Sequence, residues 1–129
     1  MAYKDPEYQK HRRAKLIGEG KCNQCYRNLT SNGKKSCTDC LEYKRIYARE
    51  LHDRVIAGYG SLCVCCGETN PAFLTIDHIY GQGYADRRST YSFYRRLEKE
   101  GFPKDRFQLL CMNCNWAKGV EGTCPHQSE

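Results

Sequence analysis

The sequence predicts a small α+β protein built from two modules, and three observations predict it. The first is length: 129 residues make one ordinary domain or two very small ones. The second is cysteine. Ten are present, eight of them in four Cys-x-x-Cys pairs that fall into an N-terminal and a C-terminal set. The third is patterning, because two short alternating segments that read as strands lie among segments with helical spacing of apolar residues. With a mean hydropathy of -0.81 and 40% hydrophobic residues the chain reads as soluble and apolar-poor, but 15 aromatics, ten of them tyrosine, argue against wholesale disorder.

No run approaches the roughly 18 apolar residues of a membrane span, and the first ten residues, MAYKDPEYQK, lack the apolar core of a signal peptide. A cytoplasmic protein with no membrane partner is expected. In that reducing compartment so many cysteines point to metal rather than disulfides.

Residues 1–20 read as a basic helical arm or a solvated leader. Asp5-Pro6-Glu7 is a helix start, followed by Lys10, Arg12, Arg13 and Lys15 with His11 among them. Next come Cys22-x-x-Cys25, eleven residues, and Cys37-x-x-Cys40. Each pair makes a tight turn with converging sulfurs, and two such turns supply the four thiolates of a structural zinc site. Asn28, Ser31, Asn32, Gly33 and Lys34 form a polar turn between them. A redox pair is disfavoured, since no thioredoxin-like βαβ pattern surrounds the cysteines. Residues 39–57 read as a helix that Thr38 caps and Gly58 and Gly60 end, with an apolar stripe of Tyr43, Tyr47, Leu51 and Val55 beside Ile46. The joint follows at Gly58 to Ser61, giving modules 1–60 and 61–129.

The second module opens with Cys63-x-x-Cys66 and closes with Cys111-x-x-Cys114, 44 residues apart. Cys65 makes the first pair ambiguous, but a knuckle needs two intervening residues, which favours Cys63 and Cys66. Phe73 to Ile79 alternates like a strand that delivers Asp77 and His78 to its end. Arg106 to Cys111 reads as a second strand and Met112 to Lys118 as a helix stopped by Gly119. Between the strands, residues 81–105 begin with Gly81 and Gly83 and continue as a short helix capped by Ser89 or Thr90 and ended by Gly101 and Pro103. Tyr91, Tyr94 and Leu97 line one face of it, and Arg87, Arg88, Arg95 and Arg96 decorate the rest. Residues 84–106 carry seven basic and four acidic side chains. Arginines interleaved with tyrosines suit phosphate clamping on nucleic acid, against the plainer reading of a solvated basic helix.

Zinc changes the charge. The formal value is +6, from 21 Lys and Arg against 15 Asp and Glu. Eight thiolates on two Zn²⁺ remove four charges and leave +2, so the sequence pI of 8.8 overstates the folded protein. A polyanionic partner therefore rests on local clusters.

The chemistry converges on Asp77, His78 and Asn115. Adjacent side chains on a strand diverge, so Asp77 can hold a metal while His78 faces a substrate. Asn115 directly follows the zinc ligand Cys114 in the first turn of a helix. An Asp carboxylate and an Asn carbonyl are hard oxygen donors suited to one Mg²⁺ or Mn²⁺, and an imidazole can take a proton from attacking water.

At these residues the chain resembles the HNH endonucleases of ββα-metal fold. Cys63-x-x-Cys66, then Ile76-Asp77-His78-Ile79, then Leu109-Leu110-Cys111-x-x-Cys114-Asn115-x-x-Lys118-Gly119 carry the likeness. It looks most like the phage-encoded members and covers about residues 61–126; Cys22 to Tyr47 looks like an accessory zinc module that some of them carry. The resemblance implies a DNA endonuclease, encoded by a phage and acting in the cytoplasm of a bacterial host. Its products would have 5′ phosphate and 3′ hydroxyl ends; a monomer would nick duplex DNA and a homodimer would cut both strands. By the same resemblance Asp77 is the metal aspartate, His78 the general base, Asn115 the final metal ligand and Lys118 a phosphate contact. The family's middle Asn, which braces the base, corresponds here to Arg106, a departure that leaves the bracing to Arg106 or to Asp105. Two structural zinc ions are expected, on Cys22, Cys25, Cys37 and Cys40 and on Cys63, Cys66, Cys111 and Cys114. Cys65 and Cys124 are left over, with Cys124-Pro125-His126 a terminal contact. The competing classes are a catalytically inert zinc-dependent DNA-binding regulator and a protein-interaction zinc ribbon.

Overall fold

The computed structural model describes residues 5–28, 34–81, 83 and 89–127. They form an α+β protein with four α-helices and one two-stranded antiparallel sheet. By its contacts the chain divides into two compact units, residues 1–47 and 48–129. No described helix is long and apolar enough to cross a membrane. Ser31, Asn32, Gly33, Arg87 and Arg88 lie outside the described residues.

The first unit begins with helix α1 (Pro6–Gly18), capped by Asp5, whose Oδ1 accepts from the Glu7 N–H at 2.9 Å, with Pro6 in the first turn. The expected helix start is therefore the observed one. No residue of α1 is buried. An antiparallel bridge between Lys21 and Asn28 then frames the first cysteine pair. The buried side chains of this unit, among the described residues, are Cys22, Ser36 and Cys37. So small a set cannot hold a fold through apolar burial alone.

Helix α2 (Thr38–Gly58) leaves this unit and enters the next. The division falls inside it, at Tyr47–Ala48, and not after it at 60–61 as expected. The reason is where its apolar face is used: Leu51, Val55 and Ile56 are buried in the second unit's core, whereas Tyr43 (69% exposed) and Ile46 stand exposed. The expected stripe thus packs only over its second half. Thr38 is already helical and is not the residue before the helix.

The second unit continues through a 3₁₀ turn (Pro71–Phe73), started by Asn70, whose Oδ1 accepts from the Ala72 N–H, into strand β1 (Leu74–His78). Helix α3 (Thr90–Lys99), strand β2 (Phe107–Cys111), helix α4 (Met112–Glu121) and a final 3₁₀ turn (Pro125–Gln127) follow. The register pairs Leu74 with Cys111, Ile76 with Leu109, Asp77 with Gln108 and His78 with Phe107. Both strands read as buried on alternate and adjacent positions, since Leu74, Ile76, Leu109 and Leu110 all lie in the core with Leu97 and Tyr94 of α3. Tyr91, expected on that same face, is exposed.

Helix α4 packs against both strands, completing a strand–strand–helix unit. It starts where β2 stops: Cys111 is its N-cap, with Sγ accepting from the Cys114 N–H at 3.4 Å. It does not stop at Gly119. The helix runs to Glu121, and Gly122 ends it with φ of 81°, a left-handed conformation natural to glycine.

Candidate functional site

The two cysteine turns share one backbone geometry. The Cys22 N–H donates to Arg27 O (2.8 Å) and the Tyr26 N–H to Cys22 O (3.1 Å); in the second unit the Cys63 N–H donates to Glu68 O (2.8 Å) and the Gly67 N–H to Cys63 O (2.9 Å). The residue after the second cysteine has positive φ in both, 63° at Tyr26 and 80° at Gly67. Cys63 and Cys66 therefore occupy the places of Cys22 and Cys25, and Cys65 is an intervening residue of the turn.

The sulfurs of Cys22, Cys25, Cys37 and Cys40 all lie within 4.8 Å of one another, and so do those of Cys63, Cys66, Cys111 and Cys114. Cys25 and Cys37 are 3.6 Å apart at sulfur, and Cys66 and Cys111 3.7 Å. A tetrahedron with Zn–S bonds of about 2.3 Å has edges of about 3.7–3.8 Å. All ten cysteines are free thiols. Each cluster can thus hold a zinc ion, and the four-sulfur donor set is the one structural zinc favours.

The backbone prepares some of these sulfurs as anions. Burial raises the Cys22 thiol, but N–H groups of Cys25, Cys37 and Gln24 aimed at its sulfur outweigh that and bring it down to about 6. Cys63 falls to about 7 by the same balance, with donors from Cys66, Cys111 and Cys65. Their neighbours go the other way. Cys40 is pushed up to about 12 by its hydrogen bond with Cys37 and by burial, and burial and the Cys111 sulfur push Cys114 up. Four crowded sulfurs cannot all lose their protons without a cation to replace them.

At the end of β1 the side chains of Asp77 and His78 diverge as expected. Asp77 is 8% exposed. Its Oδ2 accepts from Gln108 Nε2 at 2.8 Å, across the strand pair, and from Lys118 Nζ at 2.5 Å. Lys118 also donates to the carbonyls of His78 (3.0 Å) and Ile79 (3.2 Å). The lysine expected to touch phosphate is therefore bound to the strand end by three acceptors. Asn115, half-buried in the first turn of α4, lies three residues before Lys118 and so shares its face of the helix. The hard oxygens of Asp77 and Asn115 fit a divalent cation such as Mg²⁺ in donor type, and Lys118 is the positive charge already beside that carboxylate.

His78 is held by rings. Phe93 of α3 stacks on it (centroids 5.1 Å apart, 14° between planes) and Phe107 meets it edge-on (5.0 Å, 79°). Gly83 lies close by: a Cβ there would stand 3.2 Å from Nδ1. Arg106 is engaged elsewhere, donating to Glu100 at 2.9 Å and covering the Phe107 ring at 5.4 Å. Phe93 and Phe107 pack on the imidazole, while Arg106, one of the two residues expected to brace it, pairs with Glu100. Gln108, Phe93 and Gly83 were not singled out from the sequence as site residues. Gln108 is recoverable from the strand register alone, while Phe93 and Gly83 depend on how the insert folds back.

Of the four arginines expected on the insert, Arg95 lies over the Tyr91 ring (5.9 Å) and Arg96 over Phe93 (5.4 Å), with Arg96 Nε 3.9 Å from Glu100. Glu98 is neutralised by Arg54 at 2.6 Å, which holds its carboxyl below the usual range. No protein-family model, curated protein or solved structure matches the chain.

Proposed function

We propose that the chain is a metal-dependent DNA endonuclease of the HNH type, acting on double-stranded DNA. The observation that carries this reading is the bonding of Lys118, on the α4 face that also bears Asn115, to the Asp77 carboxylate and the His78 carbonyl at one strand end. In this reading the bound Mg²⁺ or Mn²⁺ supplies Lewis acidity to the phosphate and the leaving oxygen. Asp77 and Asn115 hold that charge, and Gln108 fixes the carboxylate that faces it. His78, oriented by Phe93 and Phe107, takes the proton of the water whose oxygen bonds to phosphorus. The bond to the 3′ oxygen breaks and that oxygen takes a proton from solvent water, leaving a 5′ phosphate and a 3′ hydroxyl. The cysteine clusters carry structural zinc, and Arg95 and Arg96, with Arg87 and Arg88, contact the DNA backbone. A monomer nicks and a homodimer cuts both strands. The reading implies a cytoplasmic protein of a bacterial host cell, encoded by a phage.

One observation favours the alternative of an inert DNA-binding regulator: the Lys118 ammonium already neutralises Asp77. Supercoiled plasmid separates the two. The zinc-loaded protein should nick it with Mg²⁺ or Mn²⁺, and His78→Ala should lose about 10²–10⁴ in rate while duplex binding persists. Salt-sensitive binding without nicking by the native chain would establish the regulator instead. Absence of salt-sensitive binding would leave the protein-interaction ribbon.

A further inference from the structure

Cys65, Cys124 and His126 have no part in the two zinc tetrahedra, yet they converge. The sulfurs of Cys65, Cys114 and Cys124 and a ring nitrogen of His126 all lie within 4.8 Å of one another. His126 Nδ1 is 3.4 Å from Cys114 Sγ and 3.5 Å from Cys124 Sγ. A zinc tetrahedron with bonds of about 2.3 Å to sulfur and about 2.0–2.1 Å to nitrogen has S···N edges of about 3.5 Å. We propose that the second unit holds two zinc ions that share the Cys114 sulfur, one on Cys63, Cys66, Cys111 and Cys114, the other on Cys65, Cys114, Cys124 and His126.

The local fold builds the second set on purpose-made turns. Cys65 is an intervening residue of the Cys63–Cys66 turn, so it is not one of the two converging sulfurs of that turn, and the turn is tied to β2 by the Val64 N–H donating to Leu109 O at 2.9 Å. Gly122 ends α4 in a left-handed conformation. The 3₁₀ turn that follows, closed by the Gln127 N–H on Cys124 O at 2.8 Å, returns the His126 ring over Cys124. Cys114 is fully buried and Cys124 nearly so, while His126 is exposed on the outer side.

Charge balance favours two ions over a choice between sites. Four thiolates on one Zn²⁺ carry a net −2. The second ion brings Zn²⁺ together with the thiolates of Cys65 and Cys124 and a neutral imidazole, so it adds no charge. A thiolate has lone pairs for two metals, so Cys114 need not leave the first ion. All ten cysteines are then ligands, and the chain holds three zinc ions where its Cys-x-x-Cys pairs account for two.

Metal content of the full zinc-loaded chain tests this, together with ¹¹³Cd NMR of the cadmium-exchanged protein. Three metals per chain are expected, with two of the three cadmium resonances split by each other through the shared sulfur. His126→Ala, which removes an exposed side chain, and Cys124→Ser should each hold two metals and lose that splitting, with far-UV circular dichroism unchanged in His126→Ala. Two metals in the native chain would overturn the proposal, and three resonances without mutual splitting would overturn the shared ligand.

Discussion

Lys118 joins the strand end to α4 through three acceptors, and its removal should be felt in stability before anything else. Asp77 would keep a buried negative charge with only Gln108 beside it, and two carbonyls would lose their donor. Hydrogen bonds to charged groups are each worth about 1.5–3 kcal/mol. Lys118→Ala should therefore lower the unfolding free energy of the zinc-loaded protein by about 1–3 kcal/mol in urea titrations. An unchanged midpoint would mean that water replaces the ammonium without cost. Gly67 makes a second test at this scale. With φ of 80° it sits where a Cβ costs about 1–2 kcal/mol, so Gly67→Ala should destabilise by about that amount and leave the zinc count unchanged. At this scale the divergence of Asp77 and His78 at the end of β1 was legible from strand alternation. Gln108 was legible only through pairing, since its opposite number is Asp77. Phe93 was not legible at all: its stacking on His78 depends on the path of a long insert, and no local pattern encodes that path.

Helices and strands were read with fewer errors at their middles than at their ends. Gly119 has the composition of a stop but sits inside α4, and the stop falls at Gly122, where the backbone turns left-handed. Gly58, taken only as a terminator, has a second reason to be glycine. The Phe102 ring lies over it so closely that a Cβ would be 2.6 Å from three ring carbons, while the same ring meets Tyr59 edge-on at 5.8 Å. Gly58→Ala should cost about 1–3 kcal/mol by overpacking, measured by thermal unfolding. Placed in a Phe102→Ala background, the same change should cost almost nothing, because the clash and the ring disappear together. Helix α3 offers the electrostatic counterpart. Glu98 in the helix and Glu100 at its C-cap are matched to Arg54 and Arg106, and its basic face is carried by Arg95 and by Arg96, the latter 3.9 Å from Glu100. If they contact phosphates, Arg95→Ala with Arg96→Ala should weaken duplex binding for every sequence and make the slope of log K against log salt shallower by roughly 0.9 per lost contact. A merely solvated pair would leave both affinity and slope as they were.

Across the whole molecule the two units draw on different sources of stability. The second has a continuous apolar core that includes Leu51, Leu74, Leu97 and Leu109, each at most 1% exposed. The first has its cysteine cluster and little else buried among its described residues. Structural zinc contributes about 10–16 kcal/mol at neutral pH, as much as the entire stability of an ordinary domain. In the metal-free, reduced chain, amides of residues 21–28 and 34–40 should exchange at unfolded rates while some in β1 and β2 stay protected. Protection retained in the first unit after metal removal would contradict this assignment of its stability. The division into cysteine-stapled halves was legible from the pairs alone, whereas the unit boundary was not, because nothing in the α2 sequence marks which half of its stripe finds a partner. The spacing of the pairs also orders events on the ribosome. All four sulfurs of the first cluster have been synthesised by residue 40, so it can close on its metal while the second unit is still being made. Cys63 and Cys66, by contrast, must wait for Cys111 and Cys114, and Cys65 for Cys114, Cys124 and His126. For the length of that interval the nascent chain presents three uncommitted thiols, a window in which cellular reductants and the local supply of free zinc decide whether it matures or is oxidised.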